Sequence, residues 1–247
     1  MRKLIVALSK GGVGKTTTAV NLSAGLALAG SRVLLIEVDT QGQTARALGL
    51  TPVAGLAELV TGEAKSDESI MPARERLWLL TGGRSMAGLK HLISRKEFGG
   101  EQTLADALAH LEGQYDFVLL DTGPGWDALT VNALFYATEV LTPVSLEVMT
   151  LSSLIDFQQN IAAIQRYHPQ LALRYVLPTF LDRRVKKSAE ILQQLNHAFG
   201  GLVCAPIRYS VKMSEAPGYG QTIFEYAPRS PGAEDYRQLT ERIRQNE

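Results

Sequence analysis

Short apolar runs alternate along this chain with longer segments in which apolar residues recur at helical spacing. The apolar runs predict strands, at 3–8, 32–38, 77–81, 116–121, 139–144 and 172–178, with a short piece near 202–208. The helical segments lie at 15–29, 101–112, 127–137, 151–167, 185–199 and 231–245. This alternation predicts an α/β fold, in which a mostly parallel, twisted sheet is covered by helices on both faces.

The run from Tyr115 to Asp121 is typical of these strands. It is almost continuously apolar between two acids, as expected for a strand that is buried on both faces of its sheet. Right-handed crossovers between parallel strands place the functional loops at the carboxyl edge of the sheet. We therefore expect the residues that carry the chemistry directly after the strands.

The chain reads as a single domain over residues 1–247. Residues 49–100 are less regular, and their glycines, prolines and mixed charges predict short helices and loops around the strand at 77–81. We find no linker, repeat or low-complexity tract. Since the first predicted strand begins at residue 3, we expect no separate N-terminal domain that reads DNA.

Composition narrows the classes of partner. Lys and Arg together number 25, as do Asp and Glu, so any nucleic-acid site must be a local patch. The single cysteine, Cys204, excludes a disulfide or a cysteine-bound cluster within one chain. No window approaches the roughly 18 apolar residues that span a bilayer. The apolar run after Lys3 is too short for a signal peptide, so we expect a cytoplasmic protein.

Residues 10–17 carry the strongest chemical signal. The sequence Lys-Gly-Gly-Val-Gly-Lys-Thr-Thr follows a strand and opens a helix, and this context makes a cradle for phosphate. Lys15 is expected to contact the β- and γ-phosphates, and the Thr16 hydroxyl to hold Mg²⁺. The loop is a variant, since Ser9 stands where the common pattern has glycine and a second lysine lies at position 10. The predicted nucleotide-binding residues are Lys10, Gly11, Gly12, Val13, Gly14, Lys15, Thr16 and Thr17.

Two further strand ends carry acids. A buried strand ends in Glu37-Val38-Asp39, where the two carboxylates lie on the same face because side chains alternate along a strand. Asp39 is predicted to face the γ-phosphate and orient a water molecule, whereas an ordinary polar strand end is the alternative, above all for Glu37. The apolar run that ends at Asp121 is how P-loop ATPases place a carboxylate beside Mg²⁺. Thr16, Asp39 and Asp121 are therefore the predicted metal site.

These three elements resemble the deviant-Walker ATPases of the ParA/MinD family. Lys10 matches the family's signature lysine, which crosses a dimer interface to contact the nucleotide of the partner. Glu37-Val38-Asp39 matches its second acidic motif, and Asp121 matches its Walker B acid. The late segments at 211–220 and 226–233 are similar to the ParA/Soj branch, so the resemblance covers essentially the whole chain.

The resemblance implies a P-loop NTPase three-layer fold and a slow ATPase that uses ATP and Mg²⁺. Lys10, Lys15 and Asp39 would be its catalytic residues, and the segment with Pro206 and Arg208 would help to build its adenine pocket. It also implies an ATP-dependent homodimer, non-specific DNA binding at the nucleoid, and a ParB-like or other adaptor that stimulates hydrolysis. The cargo would be a plasmid, a chromosome locus or another particle.

Three positions depart from the family pattern. The family usually has Asp where Glu37 stands, and Pro where Thr40 and Gly123 stand. Glu37 is one methylene longer, which leaves its geometry toward metal or water open. The changes at Thr40 and Gly123 are expected to affect loop stiffness more than chemistry.

A basic window lies between residues 183 and 212. It holds six cations opposed by a single acid, Glu190, and a handful of phosphate contacts would give salt-sensitive binding without sequence preference. A solvated helix face is the alternative. By the resemblance, Arg184 and Lys212 occupy positions that ParA/Soj proteins use on DNA. The predicted DNA-binding residues are Arg183, Arg184, Lys186, Lys187 and Lys212.

The sequence is also compatible with three other functions. One is a MinD-like ATPase that positions a protein cluster or organelle, although the final helical segment lacks the basic amphipathic character of a membrane-binding tail. A second is a metabolic P-loop enzyme such as a synthetase. A third is a scaffold that hydrolyses ATP poorly, which the Glu37 departure allows.

Overall fold

Strands run through the centre of the computed structural model, which describes residues 1–182 and 184–245, without the side chains of residues 148 and 149. The strands of this part of the chain are β1 (Arg2–Val6), β2 (Val33–Glu37), β3 (Ile70–Arg74), β4 (Leu77–Leu80), β5 (Phe117–Asp121), β6 (Glu139–Ser145) and β7 (Ala172–Thr179). They form one sheet in the order β3-β4-β2-β5-β1-β6-β7. Every neighbouring pair is parallel except β3 and β4.

Helices connect the strands. Those before β5 are α1 (Lys15–Leu28), α2 (Gln43–Ala47), α3 (Leu56–Thr61), α4 (Ser66–Ser69), α5 (Met86–Ser94) and α6 (Thr103–Leu108). Those after β5 are α7 (Ala128–Tyr136), α8 (Val148–Gln165), α9 (Lys186–Phe199), α10 (Val211–Glu215), α11 (Ile223–Tyr226) and α12 (Pro231–Arg244). No helix within the described ranges is both long and apolar enough to cross a lipid bilayer.

The central strand β5 shows how the sheet is buried. All five of its residues are inaccessible to solvent, and they alternate between two cores. Phe117 and Leu119 pack on the side of α1, α11 and α12, whereas Val118 and Leu120 pack on the side of α3 and α5 to α9. Since both faces are covered, the strand carries no polar residue until Asp121, where it emerges at the carboxyl edge.

The α/β prediction is confirmed, with a mostly parallel sheet between two helical layers. Two details of the strand prediction are wrong. The segment near 202–208 is not a strand, because it pairs with the rest of the protein only through isolated bridges from Val203 and Arg208. The structure also adds β3, an antiparallel edge strand that the pattern did not indicate. Its Pro72 is tolerated there because an edge strand can leave one side without ladder hydrogen bonds.

Candidate nucleotide-binding site

The loop between β1 and α1 forms one wall of an open cavity of about 370 Å³ at the carboxyl edge of the sheet. Gly12 and Gly14 have φ values of 74° and 88°, a left-handed conformation that favours glycine, and this bends the backbone around the cavity. The predicted residues that line it are Gly11, Gly12, Gly14, Lys15, Thr16 and Thr17. Val13 is different, since its side chain is buried in the hydrophobic core and its carbonyl accepts a hydrogen bond from Thr179.

The first of the two loop lysines, Lys15, lies inside this cavity. Its side chain is almost fully buried, and its Nζ donates to the carbonyl of Lys10 at 2.9 Å. Burial lowers the pKa of Lys15, and the nearby carboxylates of Asp121 and Asp39 partly oppose that shift. The ammonium is therefore held at the cavity wall, where an anion would relieve its desolvation.

The second lysine, Lys10, turns away from the cavity. Its Nζ donates to Glu147 Oε2 at 3.1 Å, just before α8, and to Thr150 Oγ1 at 2.8 Å, in the first turn of α8. Lys10 does not line the cavity, whereas its neighbours in the loop do. One loop thus carries two cations that point in different directions.

Asp121 ends β5 below the P-loop and is fully buried. Its Oδ2 accepts a hydrogen bond from the Thr44 hydroxyl at 2.8 Å, while Oδ1 is buried without a hydrogen-bond partner of ordinary geometry among the described residues. Burial raises the pKa of Asp121 to about 7, although the Thr44 and Thr16 hydroxyls lower it in part. A buried, unpartnered carboxylate oxygen near a threonine hydroxyl fits Mg²⁺, which binds few protein ligands and shares the rest with phosphates and water.

Asp39 forms part of the cavity wall opposite the P-loop. Its Oδ1 accepts a hydrogen bond from the backbone N–H of Gln41 at 3.1 Å, which fixes the start of the loop after β2. The carboxylate packs closely against Gly123, on the loop after β5. Its position on the cavity wall is compatible with both the water-orienting and the metal-binding roles predicted for it.

Glu37 lies in a different environment. It is fully buried and does not line the cavity. Its Oε1 accepts from Thr44 N at 2.7 Å, and its Oε2 accepts from Thr81 Oγ1 at 2.9 Å and Gly82 N at 3.1 Å. This carboxylate joins the ends of two strands to the start of α2, which is a structural function that the sequence pattern did not distinguish from a catalytic one.

A second cavity, of about 230 Å³, adjoins the first and shares Gly14, Thr17 and Phe180 with it. Arg208 lines this cavity, but its guanidinium is bound to Asp235, with one hydrogen bond of 2.6 Å from Nη2. Pro206 is not among the lining residues. The sequence analysis missed Phe180, which has a φ of 57° and is 41% exposed. No local signal marks a phenylalanine for this left-handed conformation.

Some cations of the basic window are paired with nearby acids, which the sequence did not indicate. Arg184 makes three hydrogen bonds to Asp182 and holds the pKa of that carboxyl at about 2. Lys187 lies 3.4 Å from Glu190, and Lys186 and Lys212 are exposed in the first turns of α9 and α10. Arg183 lies outside the described residues. Lys186 follows β7, and Lys212 follows a segment that is bridged in parallel to Leu181 through Arg208, so both lie toward the same edge of the sheet as the cavity.

Known proteins resemble this chain over almost its whole length. A family model described as an AAA domain matches residues 1–173. The chain is 36% identical over 245 residues to the chromosome-partitioning ATPase Soj of Thermus thermophilus, covering 98% of this chain and 95% of that protein. It is 33% identical over 258 residues to the sporulation initiation inhibitor protein Soj of Bacillus subtilis, covering 100% of both. The chain belongs to the ParA/MinD family.

A solved member of the same fold supports this assignment. The cobyrinic acid a,c-diamide synthase of Mycobacterium smegmatis, crystallised with an ATP analogue and magnesium, superposes with a TM-score of 0.84. Its sequence is 30% identical, and the match covers 98% of this chain and 94% of that one. In this chain the loop at 10–17 and Asp39 line one cavity, and Asp121 is buried beside it, next to the Thr16 hydroxyl.

Proposed function

We propose that this protein is a ParA-type ATPase that binds ATP with Mg²⁺, pairs with a second copy of itself, and then binds DNA without sequence preference. An adaptor of ParB type stimulates hydrolysis and so releases the dimer. The cycle positions a plasmid, a chromosome locus or another cargo in the cytoplasm, at the nucleoid. The observation that carries this proposal is the divergence of Lys10 and Lys15.

In this proposal, the two lysines of the loop contact the phosphates of two different nucleotides. Lys15 is buried at the wall of its own cavity, so its charge acts on the phosphates bound there. Lys10 projects away from that cavity, and its present partners, Glu147 and Thr150, are held by hydrogen bonds that it can exchange. A side chain with this direction is suited to contact the phosphates of a facing subunit, which makes the triphosphate part of the interface.

Residues in and beside the cavity have separate roles in the proposed hydrolysis. Lys15 neutralises negative charge on the β- and γ-phosphates, and Asp39 holds the attacking water in line. The Thr16 hydroxyl and Asp121 would hold Mg²⁺, which would supply positive charge to the phosphates when bound. Lys10 of the facing copy adds a further cation, so chemistry is fastest in the dimer.

The lysine hypothesis is tested by the Lys10→Ala variant. We expect it to bind a fluorescent ATP analogue within about twofold of wild type and to stay monomeric with ATP and Mg²⁺ in light-scattering chromatography. Lys15→Ala should lose nucleotide binding itself, because its ammonium lies at the phosphate cavity. Lys65→Ala, at an exposed site before α4, is the matched control and should dimerise normally. A full ATP-dependent dimer of Lys10→Ala would refute the bridge.

The DNA hypothesis rests on the exposed cations at and just before the starts of α9 and α10. Arg184→Glu combined with Lys212→Glu should abolish the shift of arbitrary duplex DNA in the presence of ATP, while ATPase activity without DNA is retained. The control variant, Arg166→Glu with Arg174→Glu, makes the same charge change at the opposite edge of the sheet. DNA affinity that survives at low salt in the first variant would exclude the patch.

A second candidate is a metabolic P-loop enzyme, which the synthase from Mycobacterium smegmatis favours at 30% identity. The two proposals differ in what stimulates hydrolysis. A ParA-type protein hydrolyses ATP without any small substrate and faster with DNA and its adaptor, whereas a synthase requires an acceptor molecule. A MinD-like role predicts ATP-dependent sedimentation with liposomes, and we expect none.

A further inference from the structure

Two carboxylates are buried side by side beneath the nucleotide cavity. Glu37 and Asp121 are register partners on the neighbouring strands β2 and β5, and both side chains have no solvent exposure. Two negative charges that are buried away from water repel each other strongly, because the protein interior screens them less than water does. Hydrogen bonds donated to both carboxylates offset part of this repulsion.

Thr44, in α2, supplies donors to both. Its backbone N–H donates to Glu37 Oε1 at 2.7 Å, and its hydroxyl donates to Asp121 Oδ2 at 2.8 Å. Thr44 is itself fully buried, so no water competes for either hydrogen bond. Thr44 therefore bridges Glu37 and Asp121, and Asp121 is an acid of the predicted metal site.

We propose that Thr44 is a positioning residue for the metal site: Glu37 fixes Thr44, and the Thr44 hydroxyl orients Asp121 so that its Oδ1 faces Mg²⁺. This inference rests on the Mg²⁺-dependent nucleotide binding of the proposed function. A carboxylate is planar, so a hydrogen bond that holds Oδ2 also determines where Oδ1 points. Oδ1 has no hydrogen bond of ordinary geometry within the described residues, and the Thr16 hydroxyl lies beside this carboxyl, as such an arrangement requires.

Glu37 is suited to act as the anchor. Its second oxygen accepts hydrogen bonds from the Thr81 hydroxyl and from Gly82 N, so the carboxylate is fixed from the side of β4 before it binds Thr44. Glutamate spans from the end of β2 to the start of α2. Aspartate, which the family usually has at this position, ends one methylene nearer its own backbone. Glu37 and Thr44 thus function as a pair in this chain.

The test compares hydroxyl removal at Thr44 with hydroxyl removal elsewhere. Thr44→Val keeps the shape and the backbone N–H but loses the hydrogen bond to Asp121. We expect its affinity for Mn²⁺ in the ADP complex, measured by electron paramagnetic resonance, to fall about tenfold, since second partners of a metal ligand typically contribute 10–100-fold. Thr44→Ser keeps the hydroxyl and should bind Mn²⁺ like wild type.

The matched control is Thr240→Val, which removes a buried hydroxyl that donates to the Tyr236 carbonyl in α12, far from the metal site. It should lower Tm as Thr44→Val does and leave Mn²⁺ affinity within about twofold of wild type. If Thr44→Val misfolds by circular dichroism, Thr44→Ala replaces it with the same expectation. Wild-type Mn²⁺ affinity in a folded variant without the hydroxyl would overturn the inference. A wild-type protein that binds no Mn²⁺–nucleotide would instead overturn the proposed function.

Discussion

At the scale of single residues, the space around Asp39 is set by the absence of a side chain at position 123. A Cβ atom added to Gly123 would lie 3.0 Å from Asp39 Oδ1 and 3.1 Å from Cγ, which is tighter than ordinary contact. The change at position 123 was expected to influence loop stiffness more than chemistry, and the group nearest to an added Cβ is the carboxylate predicted to orient water. We therefore expect a side chain at this position to act on that carboxylate as well.

Gly123→Ala should displace the Asp39 carboxylate by a few tenths of an ångström. Because hydrolysis depends on the exact line of attack, we expect kcat for ATP to fall by about tenfold, while KM changes little. Steady-state phosphate release provides the measurement. Gly201→Ala is the control, because an added Cβ there meets no atom within 4 Å. Unchanged kcat in Gly123→Ala would remove Asp39 from this role.

The buried Asp121 makes stability depend on pH. Its pKa is raised to about 7 by burial, whereas an unfolded chain has a value of about 4 for this group. Between these values the folded state binds more protons than the unfolded state, so this group's contribution lowers stability as pH rises from about 4 to about 7.

Asp121→Asn removes this titration and keeps an acceptor for Thr44. Without divalent ions, we expect its free energy of unfolding relative to wild type to increase from about pH 4.5 to about pH 7.5. Urea unfolding at several pH values measures the difference. A constant difference across that range would show that Asp121 does not titrate there.

At the scale of elements, α1 connects the P-loop to α12 through close packing. A Cβ atom at Gly25 of α1 would overlap Thr240 Oγ1 and lie 3.4 Å from the Phe224 ring. By contrast, Gly88 is exposed on α5, where an added Cβ meets no atom within 4 Å. The two glycines have the same helical context but opposite packing.

Glycine-to-alanine replacement should therefore have opposite signs at these positions. Gly88→Ala should stabilise the protein by about 0.5–1 kcal/mol through reduced backbone entropy of the unfolded chain. Gly25→Ala should destabilise it by about 1–3 kcal/mol through overpacking. Urea unfolding of both variants measures this. A stabilising effect at Gly25 would show that α12 moves without cost, and Thr240→Ala in the Gly25→Ala background should recover part of any loss.

At the scale of the whole molecule, the nucleotide cavity and the exposed cations lie toward the same edge of the sheet. Lys186 follows β7, and Lys212 follows the segment at 202–208, in which Arg208 is bridged in parallel to Leu181. The cavity is bounded by the loops after β1, β2 and β5. In the proposed function, a dimer that forms over the nucleotide would present two sets of cations together. The state of the nucleotide would then set the number of DNA phosphates that are contacted.

The salt dependence of DNA binding should report this number. With ATP, the slope of log affinity against log salt should be about twice as steep for wild type as for the monomeric Lys10→Ala variant, because each phosphate contact releases counterions. Fluorescence anisotropy of a labelled duplex at several KCl concentrations provides both slopes. Equal slopes would mean that one subunit makes all the contacts.

The sequence by itself determined six of the seven strands in the described residues, all except β3, together with the long helices and the glycine-rich loop. These features depend on residues close together in the chain: a buried strand such as β5 is continuously apolar, and the glycines of residues 11–14 stand between a strand and a helix. The family motifs are local for the same reason. The acids could be singled out because Glu37 and Asp121 each end an apolar strand and Asp39 follows one.

Only the tertiary structure decided which of these residues meet. Thr44 and Asp121 are 77 positions apart, Glu37 and Thr81 are 44 apart, and Lys10 and Glu147 are 137 apart. Their contacts follow from the strand order β3-β4-β2-β5-β1-β6-β7, which brings β2 beside β5 and β1 beside β6. The order is fixed by how the whole sheet buries its two faces, and no local pattern of apolar and polar residues contains that information.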